Sequence, residues 1–244
     1  MQKSLNVPTV KLAERIGYER VAGFTRRAGL NARIKAYPSI ALGAFEVTPL
    51  EMVGAYTIFA NEGVRVEPHA VKQIRSAEGA VMKSYKFEPK KVIRPELAYL
   101  MTHLMEGVIN NGTGAGVRTR GFDLPAAGKT GTSRDGWFAG YTKDLLAIAW
   151  VGYDDNRDIN LEGARSGLPI WTEFMLRAKK LYPPRDPDAM YFEPPPGIEF
   201  MTVDEISLMP ATPLCTSTFQ EVFIAGTAPT AYCPLHPFKI SSLR

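Results

Sequence analysis

The sequence predicts an α+β fold in which helices flank an antiparallel sheet. Three observations carry this expectation. Helix signals dominate the chain from Pro8 to Asn110. Three apolar stretches, separated by turns of a few residues, follow between Ala126 and Tyr153. A last helical pattern closes the run at residues 169–180. Short turns join antiparallel strands, and helices segregated from strands argue against an alternating α/β fold.

Each element has a local cause. Residues 8–15 read as a helix ended by Gly17, and residues 19–28 as a second ended by Gly29. The small residues of Ala41-Leu42-Gly43-Ala44 predict a close-packed connection. Helix 48–62 has Thr48 as N-cap, Pro49 at its first position and Glu51 completing a capping box. Its expected buried stripe is Met52, Val53, Tyr56, Phe59 and Ala60. Residues 64–86 read as a hairpin turning at Ala77-Glu78-Gly79. Pro95 opens a helix to about residue 110, with Leu97, Leu100, Met101, Leu104, Met105 and Val108 on one face. A Gly-rich loop runs to Gly116. Strands 126–132, 137–141 and 145–153 follow. The last is almost wholly apolar and is therefore expected at the sheet centre, covered on both faces. In the closing helix, Ile170, Trp171, Phe174, Met175 and Ala178 are expected inward. After Tyr182, Pro183-Pro184, Pro187 and Pro194-Pro195-Pro196 mark a linker. Two domains are expected: 1–182, and a linker with a small β-rich tail at 183–244.

Composition excludes several classes. The 244 residues are 45% hydrophobic and 22% charged, which is ordinary for a globular protein and unlike a disordered or fibrous one. The net charge of +4 is spread along the chain, so nucleic acid is not an expected partner. Lys90-Lys91, with Lys83, Lys86 and Glu88 nearby, reads as a solvated hairpin face. The longest apolar run, Leu145–Val151, falls far short of the roughly 18–20 residues of a membrane span. His69, His103 and His236 read as structural. Cys215 and Cys233 are either free thiols or one disulfide. Their spacing, with no second Cys or His pair, argues against zinc, and no metal is assigned.

The most informative stretch is Gly128-Lys129-Thr130-Gly131-Thr132, on an edge-like strand leading into a tight hairpin. Lys129 supplies a fixed cation. Thr130 and Thr132, two apart on a strand, point the same way. Gly131 has no side chain, so a ligand backbone can approach. Together they suggest a carboxylate clamp beside a peptide-docking edge. Gly128-Lys129-Thr130 also resembles the end of a nucleotide-binding loop. That motif needs a glycine where this chain has Asp123, and a helix after the lysine.

Lys-Thr-Gly belongs to the signature set of class A β-lactamases and penicillin-binding proteins. The runs Ala127–Ser133, Trp137–Thr142 and Ala149–Asp155 closely resemble the transpeptidase domain of class A, bifunctional penicillin-binding proteins. So do Asn111-Gly112-Thr113-Gly114, Thr48-Pro49-Leu50-Glu51, Pro169-Ile170-Trp171 and Gly226-Thr227-Ala228-Pro229-Thr230. Ser4-Leu5-Asn6 matches the family's Ser-x-Asn motif. The resemblance implies a serine β-lactamase/penicillin-binding-protein transpeptidase-like fold, N-terminally incomplete. It implies acyl transfer on D-Ala-D-Ala stem peptides, inhibition by β-lactams, and no metal or cofactor. Ser4 would relay protons, Asn6 would bind the substrate amide, and Lys129 would keep the site electropositive. Thr130 and Thr132 would hold the substrate carboxylate, with the Thr132 N–H as an oxyanion donor.

One departure stands out. No serine is followed three residues later by lysine, so the family's nucleophilic Ser-x-x-Lys is absent. It is expected upstream of Met1, with a glycosyltransferase domain and the membrane anchor further upstream. The chain then reads as a fragment, a misplaced start or a decayed gene. A non-catalytic remnant or interaction module is the alternative. The resemblance places the site at the periplasmic or outer face of the membrane, and a Cys215–Cys233 disulfide is expected there.

Overall fold

The computed structural model describes residues 1–237 except 32, 87, 185 and 187–189. Pro187 of the expected linker and residues 238–244 of the tail lie outside the described residues. The chain divides into two units, Met1–Phe192 and Glu193–Arg244. The first runs past Tyr182 because Met190 is buried and the Phe192 ring meets Tyr141 edge-on, centroids 5.6 Å apart.

Helices α1 (Asn6–Ile16) and α2 (Tyr18–Arg27) are separated by Gly17, whose φ of 94° suits glycine alone. The expected close-packed connection is instead a 3-10 turn, Pro38–Leu42, with Leu42, Gly43 and Ala44 exposed. The turn packs against α1 and α2 through buried Ile40, while its last residues face out. Helix α3 (Pro49–Ala60) has the expected capping box: Glu51 N–H donates to Thr48 Oγ1 (3.2 Å) and Thr48 N–H to Glu51 Oε2 (2.7 Å). Its fully buried residues are Gly54, Ala55 and Ile58, while Tyr56, Phe59 and Ala60 of the expected stripe are half-buried and pack against core residues. Neighbours lie on several sides, strands β1 (Val64–Arg65) and β7 (Leu146–Val151) and helix α4 (Pro95–Asn111), so small residues go where contact is closest.

Strands β2 (Gln73–Arg75) and β3 (Val81–Ser84) form the expected hairpin, and β4 (Lys90–Lys91) returns to pair with β1. The two lysines are solvated, as read from the sequence. Helix α4 turns Ala98, Thr102, Met105, Val108 and Ile109 inward. Leu97 and Leu104, expected inside, are exposed. A short helix, α5 (Gly116–Thr119), follows the Gly-rich loop.

The central sheet is antiparallel in the order β5 (Ala127–Thr132), β6 (Gly136–Tyr141), β7. The central strand is β6, not the apolar β7; among the described residues β7 is an edge, with Trp150 exposed. The misplacement has a physical reason: β6 is rich in glycine because bulky neighbours press on it. Helix α6 (Gly167–Leu181) lays Trp171 under the sheet. The indole N–H is shared between Gly140 O (3.2 Å) and Ala147 O (3.1 Å), so one side chain clips β6 to β7. A Cβ at Gly140 would stand 2.9 Å from the Trp171 ring. Phe122, Phe138, Leu168 and Met175 complete this core. Ile170 and Phe174 of α6, expected inside, are exposed.

In the second unit, β8 (Ile198–Asp204) and β9 (Thr218–Ile224) pair antiparallel along their full length. Cys215 and Cys233, the expected disulfide pair, stand close together as free thiols in this structure. Each sulfur also has a polar partner, Thr212 N–H for Cys215 (3.3 Å) and His236 Nδ1 for Cys233 (3.4 Å). Among the described residues no helix is long and apolar enough to cross a membrane.

Burial pushes the Glu106 carboxyl of α4 up to about 7, partly offset by the Arg118 charge. Below its ordinary value of 4.5 both folded and unfolded chains hold that proton. As pH rises towards 7 the unfolded chain ionises first, so stability falls. Glu106→Gln should flatten this slope and raise stability above pH 7 by about 1–3 kcal/mol. Urea unfolding at pH 5 and pH 8 checks it; equal slopes in both proteins would refute the assignment.

Candidate active site

Ser4 begins the site. It lies just before α1 with a φ of 50°, an unusual conformation for a residue with a side chain. Strain of this kind is tolerated where surrounding contacts enforce it. Here Ser4 N–H donates to Met1 O (3.0 Å), and Gln2 O accepts from Thr113 N–H (3.1 Å). Gln2 packs so tightly on the loop after α4 that a Cβ at Gly112 would fall 2.5 Å from Gln2 O.

The residues brought together are Ser4, Lys129, Thr130 and Thr113. Lys129 Nζ donates to Ser4 Oγ (2.8 Å), across 125 residues of sequence. It also donates to Thr130 O (2.7 Å) and lies 3.4 Å from Thr130 Oγ1. The Thr130 hydroxyl is buried and shares a 2.7 Å hydrogen bond with Thr113. Hydrogen bonds therefore run in a chain from Ser4 through Lys129, Thr130 and Thr113 to Gln2, two residues before Ser4. Burial lowers the pKa of Lys129 from the usual lysine value. Among the described residues no ion pair to Lys129 is recorded, so its charge is met by neutral oxygens.

The remaining predicted residues are placed less simply. Asn6 is exposed, at the first position of α1. Thr132 is exposed, and its Oγ1 accepts from Gly163 N–H (2.9 Å). That loop crosses so closely that a Cβ at Gly163 would lie 2.1 Å from Gly131 O. Thr130 and Thr132 are thus not an open pair of hydroxyls: one braces Lys129 and Thr113, the other anchors a loop. Gly131 also makes room for Trp137, since a Cβ there would stand 3.1 Å from the tryptophan Cβ. Thr113 was not among the predicted site residues; its only signal was the Gly-Thr-Gly loop that contains it. The nucleotide-loop reading fails, because Thr130 continues a strand into a hairpin and no helix starts there.

The turn after β5 is fixed by Asp135. Its Oδ2 accepts both indole N–H groups of Trp137 (2.9 Å) and Trp150 (2.8 Å), and its Oδ1 accepts from Ser133 (2.6 Å). Burial alone would raise this carboxyl, but the hydrogen bonds outweigh it and hold it below the usual carboxylate value.

Comparison with known proteins shows the family of the chain. Residues 1–162 match the family described as penicillin-binding protein transpeptidase domain. Residues 194–238 match the penicillin-binding protein 1A C-terminal domain. Penicillin-binding protein 1A of Aquifex aeolicus is 32% identical over 94% of this chain and 31% of that protein. Penicillin-binding protein 2D of Bacillus subtilis is 31% identical over 93% of this chain and 33% of that protein. The crystal structure of penicillin-binding protein 1A from Haemophilus influenzae superposes with a TM-score of 0.84 at 26% identity. It covers 95% of this chain and 40% of that one. The chain belongs to the penicillin-binding protein transpeptidase family, and its fold is the α+β fold of that family. It spans about a third of the length of the curated relatives it matches.

Thr113→Val removes the hydroxyl that bridges to Thr130 and should cost about 1 kcal/mol, whereas Thr113→Ser should cost less. Urea midpoints of the two variants measure the difference. A valine variant as stable as the parent would mean the bridge contributes nothing.

Proposed function

We propose that this chain carries the Ser-x-Asn and Lys-Thr-Gly portion of a D,D-transpeptidase site that cross-links peptidoglycan. The observation that carries the reading is the 2.8 Å contact between Lys129 Nζ and Ser4 Oγ. Lys129 donates to Ser4, so the Ser4 hydroxyl proton is left to point elsewhere. A serine poised in that way can pass a proton to a departing amine.

In the proposed reaction the nucleophile and its lysine come from a Ser-x-x-Lys segment outside these 244 residues. That serine attacks the carbonyl carbon of the penultimate D-Ala. The peptide C–N bond breaks, and the terminal D-Ala leaves as an amine that takes its proton through Ser4. The amine of a second stem peptide then attacks the acyl-enzyme, breaks the ester and returns the serine. Asn6 binds the substrate amide, Thr132 with Lys129 receives the terminal carboxylate, and the Thr132 N–H contributes to the oxyanion hole. Thr130 holds Lys129 in place. β-Lactams would acylate the same serine. The substrate's location puts the site on the outer face of the cytoplasmic membrane. Exposed Leu12 and Ile16, four apart on one face of α1, support the reading, since they offer an apolar face that further chain would cover.

The competing reading is a non-catalytic remnant. Fluorescent penicillin applied to the full-length protein decides between them. The reading expects covalent labelling of the parent, and a loss of about 100-fold in acylation rate for Lys129→Ala with the fold retained by circular dichroism. It also expects no mass increase when the 244-residue chain alone meets benzylpenicillin. Undiminished labelling of the Lys129 variant would remove Lys129 from the mechanism, and an unlabelled parent would favour the remnant.

A further inference from the structure

The second unit gathers four metal-binding side chains that the transpeptidase reading does not use. Asp204 ends β8 and is almost wholly buried. Backbone N–H groups of Ser207 (2.7 Å) and Ile206 (3.2 Å) bind its Oδ1, which orients the carboxylate. Its Oδ2 then faces His236 Nδ1 at 3.3 Å. The same ring nitrogen lies 3.4 Å from Cys233 Sγ. Cys215 completes the group: one donor atom from each of the four residues lies within 4.8 Å of all the others.

We propose that Asp204, Cys215, Cys233 and His236 hold a single zinc ion in a closed, structural site. Zinc takes four ligands tetrahedrally, at about 2.3 Å for sulfur and about 2.0–2.2 Å for nitrogen or oxygen. Such bonds place neighbouring ligand atoms about 3.3–3.8 Å apart, the range of the two contacts from His236 Nδ1. Two thiolates and an imidazole select zinc over calcium or magnesium, which prefer oxygen ligands in larger number. Four protein ligands leave no open position for water, so the ion would be structural rather than catalytic.

The surroundings are those of a supported site. Thr212 N–H donates to Cys215 Sγ (3.3 Å), and Thr212 Oγ1 donates to His236 O (2.6 Å). Cys233 N–H donates to Pro210 O (2.8 Å), so the tail segment is tied beside the turn that carries Cys215. Partners of this kind fix ligand orientation. The unit also needs a staple. Among its described residues only Val203, Val222 and Cys233 are fully buried hydrophobics. A core that small seldom holds a unit of about fifty residues without a metal or a disulfide. The linear spacing argued against zinc because it offered two cysteines and one histidine; the fold adds Asp204, from before either cysteine.

The test uses the full chain, free of any histidine tag and prepared under reducing conditions. Zinc chloride is offered in excess, followed by dialysis and elemental analysis. About one zinc per chain should remain, with both thiols shielded from a thiol reagent until a chelator is added. Cobalt(II) in place of zinc should give the visible bands of a tetrahedral site and thiolate-to-cobalt charge transfer. Asp204→Asn, which keeps an acceptor for the backbone N–H groups, should weaken metal binding about 10-fold or more while keeping the thiolate bands. Less than about a tenth of an equivalent of metal on the reduced wild-type chain overturns the proposal. So does a Cys215–Cys233 disulfide in the non-reduced protein that persists when zinc is offered under reducing conditions.

Discussion

Lys129 keeps its charge half-buried, and three oxygens replace the water it gives up. They are Ser4 Oγ, Thr130 O and, more distantly, Thr130 Oγ1. A buried cation without such partners would be costly. The loop at Thr113 braces Thr130, and Gln2 braces that loop in turn. The absence of a carboxylate among these partners matters most. A fixed anion would neutralise the charge, whereas neutral oxygens leave it available to an incoming anionic group.

The sheet makes that arrangement rigid. Strand β5 pairs with β6 from Ala127 opposite Tyr141 to Thr132 opposite Gly136. Beneath, Trp171 fills the space left by Gly140 and bonds to two strands at once. At the turn, Asp135 draws the indoles of β6 and β7 onto one oxygen. The lysine thus stands on a strand whose partner is fastened from below and at its end. A site built on such an element holds its geometry better than one carried on a loop.

Element type and order were legible because punctuation is local. Pro95, the Thr48–Glu51 capping box and the short turn around Asp135 each act within a few residues of sequence. Burial was less legible. Large apolar residues were assigned inward on α4 and α6, yet Leu97, Leu104, Ile170 and Phe174 face out. Helices that approach a sheet closely bury Thr102 or Gly167 at the contact, and size misleads there. The apolar β7 misled for the same reason, since the pressed central strand is the glycine-bearing β6. At the site, the structure brings Ser4 and Lys129 of the two motifs together, while Asn6 stays exposed at the start of α1. Thr113 and Asp204 could not be read from the sequence, because their partners are set by packing rather than spacing.

The separation of 125 positions between Ser4 and Lys129 has a consequence for how the first unit assembles. Closing so long a loop costs entropy that a single hydrogen bond cannot return, so this contact forms after the intervening helices and strands have docked. Either motif alone is therefore only a peptide with a suggestive sequence. The site is a late product of the folding reaction, and a chain stalled part-way would keep much of its helix and sheet yet lack the Ser4–Lys129 contact.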